Sequence, residues 1–217
     1  LELHAQVAAR HPGGPWLVSV HGFMGSGDRM LPTLQLLEGR MNVLAVDLPG
    51  HGRSQGSADP ERYAADELVD DVACWVRRLR LPQCVLHGYS MGGRVGWRWL
   101  DRLARGQAEA GAEIRGVILE SAHPGMSDAT ERQDRRRMDT KRARASKEDP
   151  AGFLREWEAM PLFAGGRNLG LGTDHARKNL TAEDLAAESL AACLQGFGPG
   201  RAPAADVVAV RRLDLPV

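Results

Sequence analysis

Short apolar runs alternate along the chain with longer segments in which apolar residues recur every three or four positions. The runs are short and end at glycine-containing turns, as buried strands do. They cover residues 16–20, 41–46, 84–86 and 114–119. Between the second and third runs, residues 63–80 predict an amphipathic helix, with one apolar stripe and charged residues opposite it. That stripe consists of Leu68, Val72, Trp75 or Val76, and Leu79. Strands that alternate with helices favour an α/β fold with a mostly parallel sheet.

The strand pattern stops between residues 126 and 195, where charged helical segments replace it. We interpret this stretch as a helical cap inserted over the active site. The core of the fold would then occupy residues 1–125, and residues 196–217 would return to it without completing it. The cap contains the arginines Arg132, Arg135, Arg136, Arg137, Arg142 and Arg144. Most of them are expected on a solvated helix face. Further helices are predicted from Thr181 to about Leu194 and from Ala204 to Arg212, followed by the entry to another strand.

The turn after the third apolar run contains the candidate nucleophile. Residues 88–93 read Gly-Tyr-Ser-Met-Gly-Gly, and a helical pattern follows from Arg94 to Leu103. A G-x-S-x-G turn between a strand and a helix is the nucleophile elbow of α/β-hydrolases, in which a strained serine is lifted above the sheet. The glycines allow the strand and the helix to approach each other closely. The sequence therefore places the chemistry at Ser90.

Chain length, charge balance and cysteine spacing limit the classes of partner and site that the chain can have. A chain of 217 residues suits one α/β domain, and its 28 basic and 28 acidic residues balance. Nucleic acid and anionic membrane surfaces are therefore not expected partners. The three cysteines, Cys74, Cys84 and Cys193, lack metal-ligand spacing and are expected to be reduced core thiols. With no leader-like or membrane-spanning pattern, we expect a cytoplasmic enzyme that acts on a small molecule.

A serine at such a turn needs a histidine, and in this fold the chain order is serine, acid, histidine. No histidine follows His175, which lies in the cap. His123, with Glu120 beside it, is the best local candidate, but we do not expect it to be the base. The remaining candidates lie in strands or turns, where packed imidazoles are expected: His21, His51 and His87. We therefore interpret the chain as an incomplete copy of a longer fold, without its last strands, catalytic acid and histidine.

Several motifs in order resemble one family. They are Leu3-His4-Ala5-Gln6, His21-Gly22-Phe23, Asp47-Leu48-Pro49-Gly50-His51-Gly52, the elbow with Arg94 and Val95, His123-Pro124-Gly125, the segment Glu131-Arg132 with Arg135 and Asp139, and Trp157 followed by Met160-Pro161-Leu162-Phe163. Together they resemble the 2-succinyl-6-hydroxy-2,4-cyclohexadiene-1-carboxylate synthases of menaquinone (vitamin K2) biosynthesis. The elbow, the arginine segment and the Trp157 block are the discriminating parts, since the other motifs occur in many α/β-hydrolases.

This resemblance implies a carbon–oxygen lyase that needs no metal or organic cofactor. It would eliminate pyruvate from 2-succinyl-5-enolpyruvyl-6-hydroxy-3-cyclohexene-1-carboxylate, using a Ser-His-Asp type triad of which this chain contains only Ser90. The backbone N–H groups of Phe23 and Met91 would form the oxyanion hole. The implied substrate-binding residues are Tyr89, Arg94, Arg135, Trp157 and Arg177. Guanidinium groups suit a small polycarboxylate because each binds a carboxylate through two parallel hydrogen bonds.

Two other functions remain open at this point. A serine esterase or thioesterase would use Ser90 and the same oxyanion hole for acyl transfer. Such an enzyme has no need of Arg94 or Arg135 when its substrates are neutral. A hydrolase-fold binding protein without catalysis would not need the strained serine turn, which argues against it.

Overall fold

A computed structural model describes residues 1–37, 39–107, 111–163 and 186–216. It contains one five-stranded sheet. The strands are β1 (Ala5–Ala8), β2 (Trp16–Val20), β3 (Asn42–Val46), β4 (Gln83–Tyr89) and β5 (Glu113–Glu120). Their order is β1-β3-β2-β4-β5, and only β1 runs antiparallel to its neighbour. The predicted mostly parallel sheet is therefore confirmed, and β1 is a strand that the apolar pattern did not reveal.

Helices flank the sheet. In the described part of the chain, the first three lie between successive strands and the others come after β5. The helices are α1 (Gly27–Leu34), α2 (Ala65–Arg78), α3 (Met91–Ala104), α4 (Ala129–Glu148), α5 (Pro150–Ala159), α6 (Ala187–Phe197) and α7 (Val207–Arg211). The helix predicted over residues 63–80 is shorter in the structure. A 3-10 turn occupies Pro60–Tyr63, and the extended ψ of 146° at Ala64 separates it from α2. Residues 181–185 of the predicted cap helix lie outside the described residues.

The main hydrophobic core lies between one face of the sheet and helices α2, α3 and α6. On α2, Leu68, Val72 and Val76 are fully buried, whereas Trp75 is only partly buried, so Val76 provides the central contact of the predicted stripe. β2 and β3 are buried on almost every residue, as expected for parallel strands covered on both faces. A smaller cluster near α1 packs on the opposite face of the sheet.

Helices α4, α5 and α6 form a second layer of contacts beside the carboxyl ends of the strands. α4 is strongly polar, and its buried residues Asp139, Ala143 and Ser146 are spaced as one helix face. Phe153 of α5 and Leu194 of α6 bury their side chains in a cluster that also contains Met24. α6 contributes to this cluster and to the main core at once. The division of the chain into core, cap and returning segment stays a prediction.

The cysteines and the end of the described chain complete this picture. All three cysteines are free; Cys84 and Cys193 are buried, but Cys74 is exposed, so its predicted core position is wrong.

The backbone N–H of Val117 on β5 donates to the carbonyl of Pro216 at 2.9 Å. Pro216 therefore lies beside the outer edge of β5. Within the described ranges, no helix has the length and apolar character that crossing a membrane requires.

Candidate active site

Ser90 occupies a strained turn between β4 and α3. Its φ of 52° and ψ of −108° lie in a region that non-glycine residues rarely adopt. Its backbone N–H donates to the carbonyl of Glu120 at 2.8 Å, and its own carbonyl accepts from the N–H of Arg94 at 3.1 Å. These bonds hold the turn from both sides. Such strain costs about 1–3 kcal/mol and persists only where the surroundings fix it, most often at functional sites.

Two glycines allow this turn to form. A β-carbon at Gly88 would lie 2.5 Å from the carbonyl oxygen of Gly92. A β-carbon at Gly92 would lie 2.1 Å from the carbonyl oxygen of Val20, on the neighbouring strand. Both distances are far below van der Waals contact with backbone that cannot move aside. The sequence requirement for glycine at these positions therefore follows from the close approach of β4, α3 and β2.

The carboxyl ends of β2, β4 and β5 meet at one edge of the sheet because these strands are parallel. The segments after them contribute Phe23, Ser90 and His123 to one cavity of about 390 Å³, and helices α3 to α6 complete its walls. It combines apolar and cationic side chains. Its apolar walls include Trp157, Met160, Leu162, Leu194 and Phe197, and its cationic side chains are Arg94, Arg135 and Arg142.

Backbone N–H groups suited to an oxyanion flank Ser90. Met91 is the first residue of α3, so its N–H has no acceptor within the helix and lies at the positive end of the helix dipole. Gly22 brings the β2 loop against the elbow, since a β-carbon there would lie 2.9 Å from the Tyr89 ring. Phe23 follows directly, and its ring contacts that of Trp157 with centroids 5.1 Å apart. Both predicted oxyanion residues thus line the cavity beside Ser90.

Arg94 is a partly buried cation one helical turn after Ser90. Its Nη1 donates to the carbonyl of Phe197 at 2.6 Å, and its guanidinium lies over the Phe197 ring, 4.6 Å from the centroid. Within the described ranges it forms no ion pair. Burial lowers the pKa of Arg94 to about 10, and the positive charge of Arg135 acts in the same direction. Arg94 remains charged at neutral pH, so it brings a positive charge to the cavity wall that no described carboxylate contacts.

A second cationic group lies on α4. Arg135 donates from Nε to Oδ1 of Asp139 at 2.9 Å, and Asp139 is only 2% exposed. Two other arginines that the sequence left as alternatives to Arg135 have different positions. Arg136 donates to the carbonyl of Gly200, and neither Arg136 nor Arg132 lines the cavity. Of these three arginines, the structure thus brings only Arg135 to the cavity.

The histidines at the strand ends have structural partners. His21 accepts from the N–H of Leu48 at Nε2 and approaches the carbonyl of Gly22 with Nδ1, which fixes a neutral ring, and burial lowers its pKa. His51 bonds to the carbonyl of Pro49 through Nδ1. His87 contacts the Ser19 hydroxyl at 2.9 Å. None of these contacts involves Ser90.

Among the described residues, His123 is the histidine that lines the cavity. Its Nδ1 accepts from the N–H of Gly125 at 3.1 Å, and burial, followed by the charge of Arg94, lowers its pKa. No described hydrogen bond joins His123 to Ser90. A base for Ser90 is therefore not assigned among the described residues.

Acid is expected to destabilise the fold through His51. Burial, followed by the charge of the neighbouring His21, lowers the pKa of His51 from 6.5 to about 3. Between these two pH values His51 is protonated in the unfolded chain but neutral in the folded chain. Stability from this residue is full above pH 6.5 and decreases as the pH falls towards 3. Between pH 7 and pH 5 the expected loss is about 2 kcal/mol. Urea unfolding of wild type and His51→Asn at both pH values checks this, because asparagine keeps a donor but does not titrate. An equal pH effect in both proteins would contradict it.

Of the predicted site residues, seven line the cavity and one lies outside the described residues. The seven are Phe23, Tyr89, Ser90, Met91, Arg94, Arg135 and Trp157. Arg177 is the one outside. Sequence reasoning assigned no role to Arg142 or Phe197, which also line the cavity. Among the described residues, no group of three or more His, Cys, Asp or Glu side chains could hold a metal ion.

The family model for the α/β hydrolase fold matches residues 15–187. The chain belongs to the α/β-hydrolase family. The predicted α/β-hydrolase fold is therefore confirmed, with Ser90 at the position of the family's nucleophile elbow.

Curated relatives of this α/β-hydrolase resemble it over most of its length. The chain is 34% identical over 163 residues to the 2-succinyl-6-hydroxy-2,4-cyclohexadiene-1-carboxylate synthase of Escherichia coli O7:K1 (strain IAI39 / ExPEC). It is 35% identical to the synthase of the same name from Shigella dysenteriae serotype 1 (strain Sd197). Each match covers 75% of this chain and 60% of the relative. The chain thus spans about 60% of the length of the curated relatives it matches, and the resemblance seen in its motifs is confirmed.

Solved structures agree with this placement. The structure of MenH from S. aureus matches with a TM-score of 0.80 and 25% identity, over 93% of this chain and 73% of that one. A carboxylesterase structure from Nitrososphaera gargenis matches with a TM-score of 0.72 and 18% identity, over 98% of this chain and 73% of that one. At that lower identity the second likeness shows only a shared fold.

Proposed function

We propose that the protein eliminates pyruvate from 2-succinyl-5-enolpyruvyl-6-hydroxy-3-cyclohexene-1-carboxylate, giving 2-succinyl-6-hydroxy-2,4-cyclohexadiene-1-carboxylate in menaquinone biosynthesis. The observation that carries this proposal is the partly buried Arg94, which has no contacting carboxylate among the described residues, in the same cavity as Ser90. An uncompensated guanidinium is expensive to bury, and a carboxylate ligand would compensate it. The relatives named as synthases of this product support the choice among α/β-hydrolase reactions.

The reaction begins with removal of a proton from a ring carbon. Ser90, once deprotonated by a histidine, takes this proton and acts as a base relay without forming an acyl-enzyme. The electron pair forms a double bond to the adjacent ring carbon, the existing ring double bond shifts by one position, and the C–O bond to the enolpyruvyl group breaks. The enolpyruvate that leaves is then protonated at carbon to give pyruvate. Negative charge that builds on the succinyl carbonyl oxygen meets the N–H groups of Phe23 and Met91. The triad partners of Ser90, an acid and a histidine, are part of the proposal.

The remaining proposed roles concern binding. Arg94 and Arg135 bind substrate carboxylates, and Tyr89 and Trp157 contact the ring from the cavity walls. Arg177, outside the described residues, is kept as a third proposed carboxylate ligand. These side chains provide the binding, orientation and charge that the elimination needs. We propose no cofactor, no metal, and no nucleic-acid or membrane partner.

Replacing Arg94 tests the proposed substrate class. In the protein as its gene encodes it, Arg94→Gln is expected to reduce pyruvate release by about 100-fold, because a charged hydrogen bond of about 3 kcal/mol is lost. The melting temperature should not fall, since a buried charge without an ion pair adds little to the stability of the empty protein. Arg98→Gln is the matched control on α3, because Arg98 pairs with Asp66 and Asp101 outside the cavity. It should retain pyruvate release.

A serine esterase or thioesterase is the alternative, favoured by the elbow and by the oxyanion N–H groups, which serve acyl transfer equally well. The same pair of variants separates the two functions. Rapid cleavage of a neutral p-nitrophenyl ester that is unchanged in Arg94→Gln, with no pyruvate release by wild type, would favour the esterase. Pyruvate release that is lost in Arg94→Gln supports the synthase.

A further inference from the structure

One face of α4 is built around a buried carboxylate. Asp139 is 2% exposed, and Arg135 and Arg142 lie four residues before it and three after it, so all three share a helix face. Arg135 donates to Oδ1 of Asp139, whereas the nearest contact of Arg142 to that oxygen is 4.0 Å. Oδ2 has no hydrogen-bond partner among the described residues. Within the described ranges, Arg135 and Arg142 form ion-pair contacts to this one carboxylate, and Arg94 forms none.

Among the described residues, Arg142 lacks a strong acceptor. It donates a hydrogen bond from Nη2 to the thioether sulfur of Met160 at 3.2 Å, and its Nη1 lies 4.0 Å from Oδ1 of Asp139. A thioether is a weak acceptor, and a guanidinium has five N–H donors. The side chain is only 24% exposed, so water can satisfy these donors in part at most. A partly buried cation in this state is suited to bind an anion.

Other arginines show that this state is unusual for the chain. Arg98 and Arg102 on α3 bond directly to carboxylates of α2, at 2.9 and 2.8 Å. Arg144 lies on roughly the opposite side of α4 from Arg142, pairs with Glu148 at 2.6 Å and is largely exposed. Burial, followed by the charge of Arg135, lowers the pKa of Arg142, whereas hydrogen bonding to Glu148 raises the pKa of Arg144. The environment of Arg142 thus resembles that of Arg94 rather than that of the surface arginines.

Arg142 and Arg94 lie on different walls of the cavity. The guanidinium of Arg142 lies 5.2 Å from the centroid of Trp157, and that of Arg94 lies 4.6 Å from the centroid of Phe197. Stacking on an aromatic ring limits how each guanidinium group can be oriented. A guanidinium of fixed orientation can form two parallel hydrogen bonds to one carboxylate. Two cations on separate walls fit a ligand with two carboxylates rather than one.

We propose that Arg142 binds a second carboxylate of the ligand, distinct from the one that Arg94 binds, and that Asp139 is a positioning residue that orients Arg135 and Arg142 towards the cavity. This inference rests on the proposed function, which supplies a polycarboxylate ligand. In this proposal Asp139 acts on Arg135 through a direct hydrogen bond and on Arg142 through its charge at 4.0 Å, and it does not contact the ligand. Its single negative charge leaves the cavity positive enough to attract a dianion.

Binding of three ring compounds, measured by titration calorimetry, tests the role of Arg142. 2-Succinylbenzoate has a succinyl and a ring carboxylate, 3-benzoylpropionate retains only the chain carboxylate, and 2-butanoylbenzoate retains only the ring carboxylate. Arg142→Gln is expected to weaken 2-succinylbenzoate about tenfold and to affect one monocarboxylate but not the other. Arg94→Gln should affect the opposite monocarboxylate. Arg144→Gln, the exposed control on α4, should bind all three as wild type does.

The outcomes separate this inference from the proposed function. Loss of 2-succinylbenzoate binding in Arg94→Gln, together with affinity within twofold of wild type in Arg142→Gln, would overturn the inference alone. Equal weakening of both monocarboxylates by Arg142→Gln would also overturn it. If wild type binds none of the three compounds, the polycarboxylate substrate class falls, and the inference falls with it.

A double-mutant cycle tests Asp139. Asp139→Asn alone is expected to weaken 2-succinylbenzoate about fivefold, but to add little when Arg135 and Arg142 are already glutamine, because its effect passes through them. A merely structural role would give the same penalty in both backgrounds, which would overturn the positioning role. Asp134→Asn is the control, since Asp134 is an exposed residue of α4 that pairs with Arg137. Melting temperatures of all variants establish that the compared proteins are folded.

Discussion

Ser90→Ala is expected to reduce pyruvate release by about three orders of magnitude or more, the loss that follows when the central serine of such a site is removed. The strained backbone at residue 90 places the hydroxyl in the cavity beside the Phe23 and Met91 N–H groups. Alanine removes the proton acceptor but leaves the arginines unchanged. Initial rates of pyruvate formation, measured with the protein as its gene encodes it, give the effect directly.

Binding distinguishes this loss from a general loss of structure. Ser90→Ala should bind 2-succinylbenzoate with the wild-type affinity, since the proposed anion ligands are Arg94, Arg135 and Arg142. Ser127→Ala, an exposed serine in the loop before α4, should keep the wild-type rate. Pyruvate release in Ser90→Ala within tenfold of wild type would contradict the assigned role of the hydroxyl. A non-catalytic binding protein would show anion binding in both proteins and turnover in neither.

Gly92→Ala is expected to destabilise the fold by about 3 kcal/mol, because overpacking against fixed backbone has no inexpensive relief. The new β-carbon would lie 2.1 Å from the carbonyl oxygen of Val20 and 2.7 Å from that of His21. Either α3 or the end of β2 must move, and both carry parts of the active site. The free energy of unfolding in urea measures the effect.

Gly116→Ala is the matched control for Gly92→Ala. Gly116 lies in β5 of the same sheet, but an added β-carbon would find its nearest atom at 3.5 Å, an ordinary contact. Its expected change in the free energy of unfolding is within about 1 kcal/mol. Similar destabilisation by both substitutions would show that the close approach of strand and helix at the elbow does not set the cost.

The elbow could be predicted from sequence because its requirements are local. The apolar strand, the glycines at 88 and 92, and the helical pattern after Arg94 are neighbours in the chain, and steric limits alone demand this combination. Phe23 was implied by the family resemblance, and the structure brings it to the cavity at the carboxyl end of β2. The first strand, Ala5–Ala8, escaped prediction because it is short and partly exposed at the edge of the sheet.

The cap could not be resolved in the same way. α4 buries an aspartate, an alanine and a serine rather than large apolar residues, so no apolar period marks its inner face. The resemblance implied Arg135, but it is the structure that brings Arg142 to the cavity as well, whereas Arg136 bonds to Gly200. The spacing of Arg135, Asp139 and Arg142 was a signal that could have identified this face. The exposure of Cys74 similarly depends on how α2 is rotated against the sheet.

We propose that a serine elbow with partly buried arginines catalyses an elimination rather than a hydrolysis. The measurement to make is the initial rate of pyruvate release from 2-succinyl-5-enolpyruvyl-6-hydroxy-3-cyclohexene-1-carboxylate by the protein as its gene encodes it. Pyruvate is detected through the coupled oxidation of a reduced nicotinamide cofactor. We expect pyruvate release by wild type that is lost in both Ser90→Ala and Arg94→Gln. Absence of pyruvate release from a folded wild-type protein that cleaves neutral esters rapidly would contradict the claim.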